Sequence, residues 1–174
     1  PGGAVLPIYD ELKNFSSVSY SDLRDLNEIL NIAKKIKPGA VISDQCDYSM
    51  FAQAIIAENL KIKGPSINNA QISSNKLLQR KLCLKLGIKI PNFTFGYTLE
   101  QLVINTKTMK YPLIIKPIDN RGSFGVYKIN NKTQLAKYFY KSISMSHSRI
   151  VIVEEFIDGI HLTVDGYIFE GKGC

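Results

Sequence analysis

The sequence predicts an α/β protein in two parts, a partial parallel-sheet leading domain followed by a strand-rich second part that mixes strands with a helix. Three observations predict it. Residues 21–60 run helix, strand, polar loop, helix, the rhythm of a parallel sheet connected by helices. From Tyr111 onward the chain turns strand-rich, with apolar runs at 111–117, 124–129 and 150–156. Where the first of these runs passes into the second, over Lys116–Val126, a lysine near the end of a strand is followed by a loop with two glycines and a serine, an arrangement suited to an anion.

Composition limits the alternatives. At 174 residues the chain is one ordinary domain or two small pieces of something larger. Hydrophobic residues make up 45% and charged residues 21%, so there is material for a core and no case for disorder. No run approaches about 18 apolar residues and no basic segment precedes an apolar one, so neither a membrane span nor a secretory signal is expected, and a cytoplasmic location is. Cys46, Cys83 and Cys174 are odd in number and lack C-x-x-C spacing, which argues against disulfides and structural zinc. The net charge is +7, but the lysines are scattered and no aromatic nucleic-acid motif accompanies them. A solvated surface is the plain reading, a basic cleft for an anionic ligand the sharper one.

The elements follow in order. Pro1–Tyr20 reads as the middle of a domain rather than its start. Leu23, Leu26, Ile29, Leu30, Ala33 and Ile36 share one helical face, with Ser21 as the expected N-cap and Pro38-Gly39 as the stop. Ala40–Ser43 reads as a short buried strand, followed by a polar loop containing Asp44, Gln45 and Asp47. Beyond the carboxyl end of a parallel strand that loop could meet a substrate, or Asp47 could simply cap the helix expected from Ser49 to Leu60. A further helix carries Leu78, Leu82 and Leu86 at four-residue spacing and closes at Gly87. Ile88–Pro91 is extended, and Thr98-Leu99-Glu100-Gln101 is a capping box that opens another short helix.

In the second part, strands are expected at Tyr111–Pro117, Phe124–Ile129 and Ile150–Phe156. A helix over Thr133–Ile143 has Leu135, Ala136, Phe139 and Ile143 as its apolar face. Ile160–Phe169 reads as one more strand pair or a long bent strand. The stretch from Lys116 to Val126 is the most informative: glycines let backbone N–H groups approach phosphate oxygens, and the lysine adds a point charge. It is neither a Walker A nor a Rossmann motif, and alone it could be a hairpin turn set by Gly122 and Gly125.

Taken with Lys76 at a helix start, with Glu154-Glu155-Phe156-Ile157-Asp158-Gly159 ending an apolar strand, and with His161 beyond it, the pattern resembles the ATP-grasp superfamily of ligases. Biotin carboxylase and the large subunit of carbamoyl-phosphate synthetase are among its members. The resemblance rests on five stretches in order: Ala40–Ser43 with its loop, Asn75-Lys76-x-x-x-Arg80 with Leu86–Pro91, Tyr111–Pro117, Gly122–Val126, and Val153–Gly159.

What the resemblance implies is specific. Residues 1–73 would be a partial domain preceding the ATP-grasp fold, and 74–174 an incomplete ATP-grasp domain with a lid at about 111–157. Lys76 and Lys116 would reach the nucleotide, and Gly122, Ser123 and Gly125 would lie in the lid loop. The backbones of Glu154 and Ile157 would pair with adenine, with Glu155 and Phe156 beside them, and His161 stands where many members carry a glutamate. ATP with Mg²⁺ is the implied cofactor, with the metal ligands expected downstream of Cys174. A small carboxylate is the implied partner, joined to an amine or thiol through an acyl-phosphate. No nucleic-acid or membrane partner is implied, and a homodimer is allowed. The chain alone would not turn over. A non-catalytic nucleotide-binding module is the alternative.

Overall fold

The structure, a computed structural model, describes residues 19, 21–43, 47–162, 164, 166, 168–169 and 172–173. The chain divides into two compact units, Pro1–Gln79 and Arg80–Cys174. No helix among the described residues is long and apolar enough to cross a membrane.

The first unit is helical. Helix α1 spans Leu26–Ile36 and is capped by Asp25, whose carboxylate accepts from the Glu28 N–H. Ser21 is therefore not the cap that the sequence suggests. Asp22 takes the Arg24 N–H at 2.9 Å and its guanidinium at 2.6 Å, a local turn that holds the chain out of helix until Asp25 can satisfy the first free amides. Lys37 ends α1 in the left-handed region, with φ 53°, and Pro38 follows.

Ala40–Ser43, expected as a parallel strand, is irregular, and Ile42 is 89% exposed. A strand exists only through its ladder, and no other strand is described in this unit. The Val41 carbonyl instead accepts from the Gln53 side chain at 2.8 Å. Among its described residues this unit consists of packed helices and irregular chain, and the parallel leading sheet that the sequence predicts is not found there. Asp44 and Gln45 lie outside the described residues, and Asp47 opens helix α2, Asp47–Leu60. Ala52, Ala54, Ile56 and Ala57 of α2 are buried, and α2 packs against both α1 and α3, Ile67–Ser74, which Ser66 caps. Helix α3 has no apolar stripe to announce it in the sequence.

Helix α4, Lys76–Lys85, carries the division between the units. Asn75 opens it, its side-chain oxygen accepting from the Leu77 and Leu78 N–H groups. Gly87 has φ 70°, and Ile88 donates to the Cys83 carbonyl, the six-residue closure that a left-handed glycine permits. The expected apolar stripe is displaced: Leu77 is 7% exposed, whereas Leu82 is 36% and Leu86 is 62%. Four residues overshoot a 3.6-residue turn by about 40°, so Leu78, Leu82 and Leu86 wind away from a single face.

The second unit is a four-stranded sheet with helices on one face. Its strands are β1 (Phe93–Gly96), β2 (Leu113–Pro117), β3 (Tyr127–Ile129) and β4 (Val151–Glu155), in the order β1-β4-β2-β3 and antiparallel throughout. Helix α5, Leu99–Asn105, starts at the predicted Thr98 cap, and α6, Lys132–Ser144, starts at Asn131. Of the strand expected at 124–129 only the last three residues form, because Arg121–Gly125 are spent in turns. In the 160–169 segment the described residues are irregular except Ile168–Phe169 (β5), which pairs with Lys172–Gly173 (β6).

Register decides which side chains share a face. Leu113, Ile115, Ile129, Val151 and Val153 point to one side and pack on Leu102 of α5 and on Leu135 and Phe139 of α6; these residues are the core. The alternate residues Phe95, Ile114, Lys116, Lys128, Ile152 and Glu154 point to the other side.

Candidate functional site

The face opposite the core carries charge. Ile114 pairs with Glu154 and Lys116 with Ile152, so Lys116 and Glu154 are diagonal neighbours on adjacent strands, within reach of two long side chains. Lys116 Nζ donates to Glu154 Oε2 at 2.6 Å. Arg80, one turn into α4, donates Nε to Glu154 Oε1 at 2.7 Å and Nη2 to Oε2 at 3.3 Å. Glu154 is only 4% exposed. Burial pushes its carboxyl upward, but the hydrogen bonds and charges of Arg80 and Lys116 outweigh burial and hold it below the usual carboxylate range. Two cations and one anion leave this cluster with a surplus positive charge.

The glycine loop follows from the end of β2. Gly122, Ser123 and Gly125 have φ of 60°, 58° and 76°, so three of four successive residues are left-handed. A side chain at Gly125 would stand 2.8 Å from Pro117 Cγ and 3.0 Å from Met145 Cβ, which ties that position to glycine twice over. Two loop amides are used internally, Phe124 N–H to Arg121 O and Val126 N–H to Ser123 O. The loop is anchored at its root. Asp119 accepts from the Ser146 hydroxyl at 2.7 Å, the His147 N–H at 3.1 Å and the Ser148 N–H at 2.6 Å, and Asn120 donates to the Met145 carbonyl at 2.6 Å. Burial raises the Asp119 carboxyl, and the hydrogen bonds from Ser146, Ser148 and His147 leave it lowered on balance.

The strand end after Glu154 is partly committed. The Glu155 N–H donates to Asn92 O and the Phe156 N–H to Pro112 O. The Phe156 ring, expected to line a pocket, lies beneath the Lys128 ammonium at 3.6 Å from its centroid. Ile157 and His161 are exposed, His161 on the irregular chain that follows. Lys76 is the first residue of α4 and falls in the first unit. Of the residues singled out from the sequence, the structure directly joins Lys116 to Glu154 and sets Gly122, Ser123 and Gly125 in the loop that β2 feeds.

Sequence reasoning misses the role of two participants. Arg80 belongs to one of the matching stretches without an evident task, although a glutamate directly after the apolar run Val151–Val153 signals a buried carboxylate that needs cations. Asp119 gives less warning, since its partners are 27 to 29 residues away in sequence. No group of three or more His, Cys, Asp or Glu among the described residues could hold a metal ion, and no step is assigned to magnesium.

Residues 109–173 match the model of the ATP-grasp domain. The chain is 26% identical over 143 residues to the carbamoyl phosphate synthase large chain of Thermoanaerobacter pseudethanolicus, covering 80% of this chain and 13% of that one. It is 25% identical over 158 residues to the formate-dependent phosphoribosylglycinamide formyltransferase of Prochlorococcus marinus, covering 86% of this chain and 40% of the relative. Among solved structures, the biotin carboxylase of Campylobacter jejuni, described as a β-γ-ATP complex, superposes with a TM-score of 0.65 at 19% identity, over 78% of this chain and 32% of that one. The chain therefore carries an ATP-grasp match and is related to carbamoyl phosphate synthase large chains, of which it spans a small part.

Proposed function

We propose that the chain is the nucleotide-binding part of an ATP-dependent ligase that activates a carboxylate as an acyl-phosphate for attack by an amine or thiol. The observation that carries this reading is Lys116, held with surplus positive charge on the face opposite the core, at the mouth of a loop built from left-handed residues. In this reading Lys116 releases Glu154 and binds the phosphates. Gly122, Ser123 and Gly125 let the loop backbone close over them, and a phosphate oxygen that gains charge is stabilised by these donors. Ile157 and the strand end around Glu154, Glu155 and Phe156 receive the base, and Lys76 and His161 are assigned to the nucleotide on resemblance alone. ATP and its magnesium would supply the phosphoryl group and neutralise its charge. Cytoplasmic location, a small carboxylate partner and a dimer belong to the same reading.

Calorimetric titration of the chain with the β,γ-imido analogue of ATP tests the binding half, and saturable one-site binding is expected. The ligase half is tested on the longer protein by isotope scrambling between bridging and non-bridging β-phosphate oxygens of ATP. Scrambling that requires an added carboxylate supports an acyl-phosphate; binding with no scrambling under any carboxylate supports a non-catalytic module.

A further inference from the structure

We propose that Arg80 is a positioning residue: it retains the Glu154 carboxylate so that Lys116 can exchange from Glu154 to the phosphates of a bound nucleotide. The proposal rests on the nucleotide reading above and goes beyond it by assigning a role to a residue that need not touch the ligand.

The geometry makes the case. Glu154 has two oxygens, and Arg80 reaches both, Oε1 from Nε at 2.7 Å and Oε2 from Nη2 at 3.3 Å, while Lys116 reaches Oε2 alone. A planar guanidinium that spans a carboxylate can satisfy it unaided, whereas an ammonium is a single point charge. Glu154 sits at 4% exposure, where an ionised carboxylate without a partner is strongly disfavoured. With Arg80 present, Lys116 can leave and the carboxylate keeps its charge and a counterion. With Arg80 removed, Lys116 becomes the only described counterion, and a ligand that takes it strands the carboxylate. Two other described charged groups lie at that sheet face: Lys128, which is engaged over Phe156 at 3.6 Å, and Lys81 of α4, whose ammonium stands 5.3 Å from the Phe95 ring centroid; from β1 the residue paired with Glu154 is the apolar Phe93. Arg80 therefore sets how freely Lys116 can be given up, and the carboxylate, rather than the ligand, is what it serves.

The test compares the chain with Arg80→Met, and with the milder Arg80→Gln should the first fail to fold, each also in a Glu154→Gln background. The probes are the β,γ-imido analogue of ATP and inorganic tripolyphosphate, titrated calorimetrically in two buffers of different ionisation enthalpy. Loss of Arg80 should weaken both probes by about tenfold or more near pH 8. Binding to that variant should take up close to one proton as the stranded carboxylate protonates, and the affinity should recover as pH falls toward about 6. In the Glu154→Gln background the Arg80 substitution should change affinity by less than about twofold, because no carboxylate remains to be stranded. A loss that persists in that background means that Arg80 attracts the phosphates directly, and the proposal falls while the nucleotide reading stands. The proposal falls in the same way if affinity is unchanged by Arg80 loss or if no proton is taken up. Binding of tripolyphosphate without the nucleotide analogue, with the pattern above intact, upholds the exchange and overturns the nucleotide reading. If the unsubstituted chain binds neither probe, both are overturned.

Discussion

Ser146 donates its hydroxyl hydrogen to Asp119 across 2.7 Å, and through that contact the root of the glycine loop is fixed to the turn that precedes β4. The same carboxylate also collects the amides of His147 and Ser148. The loop is thus firmly held at Asp119 and Asn120, and beyond them Gly122, Ser123 and Gly125 take up left-handed backbone.

Replacing Asp119 with Ala leaves a buried hydroxyl and two amides without their acceptor. Stability should fall by roughly 1.5–3 kcal/mol, the range for hydrogen bonds to a charged group, as read from urea unfolding. Amide exchange should accelerate in 119–126 and 145–150 while the α6 helix remains protected. Uniform acceleration across the unit would show that Asp119 is not a local anchor.

Acidification should destabilise the second unit through Glu154 and Asp119. Both carboxyls are held lower in the folded state than their ordinary values of 4.5 and 3.8. The unfolded chain therefore binds protons first as pH drops, and the stability these groups contribute is full above about pH 5 and lost as pH falls through their folded values. Denaturation curves collected across this range should show a shallower acid slope for Asp119→Asn than for the unsubstituted chain. An identical slope contradicts the assignment.

Along α4 the energetic weight should follow burial rather than sequence spacing. Leu77→Ala should cost about 2 kcal/mol or more, and Leu86→Ala less than about 0.5 kcal/mol, when each variant is unfolded by denaturant. Equal costs would restore the stripe that the sequence suggests.

Gly125→Ala places a methyl 2.8 Å from Pro117 Cγ at φ 76°. A loss above about 1 kcal/mol is expected, against a smaller effect for Gly39→Ala, where nothing lies within 4 Å. Thermal melts of the two variants side by side make the comparison.

Local features are legible in the sequence, and those that depend on pairing are concealed. Leu135 and Phe139 announce α6 by their spacing, Thr98 announces α5, and the apolar runs around Ile115 and Val153 announce β2 and β4. Phe93–Gly96 does not stand out, because four residues shortly after a proline become a strand only by lying against β4. Ala40–Ser43 errs in the opposite direction, since its apolar residues look like a buried strand but meet no partner strand among the described residues. The site shows the same division. Lys116 and the loop glycines can be picked out by residue type. The link from Glu154 to Arg80, 74 residues earlier in the chain, is set by strand register and the placement of α4, which no local pattern encodes. Lys128 shows the reverse hazard: it looks like an ordinary lysine outside the motif, yet it shares the face of Lys116 and covers Phe156.

The central claim is that the face bearing Lys116 and Glu154 holds the phosphates of a nucleotide, and titration of Lys116→Met with the β,γ-imido analogue of ATP tests it most directly. Lys107 is exposed beyond the end of α5, away from that face, so Lys107→Met is the matched loss of charge. Lys116→Met should weaken binding by roughly 10–150-fold, the worth of a hydrogen bond to a charged group, and Lys107→Met by less than about twofold. Equal weakening by the two substitutions, or none by either, would contradict it.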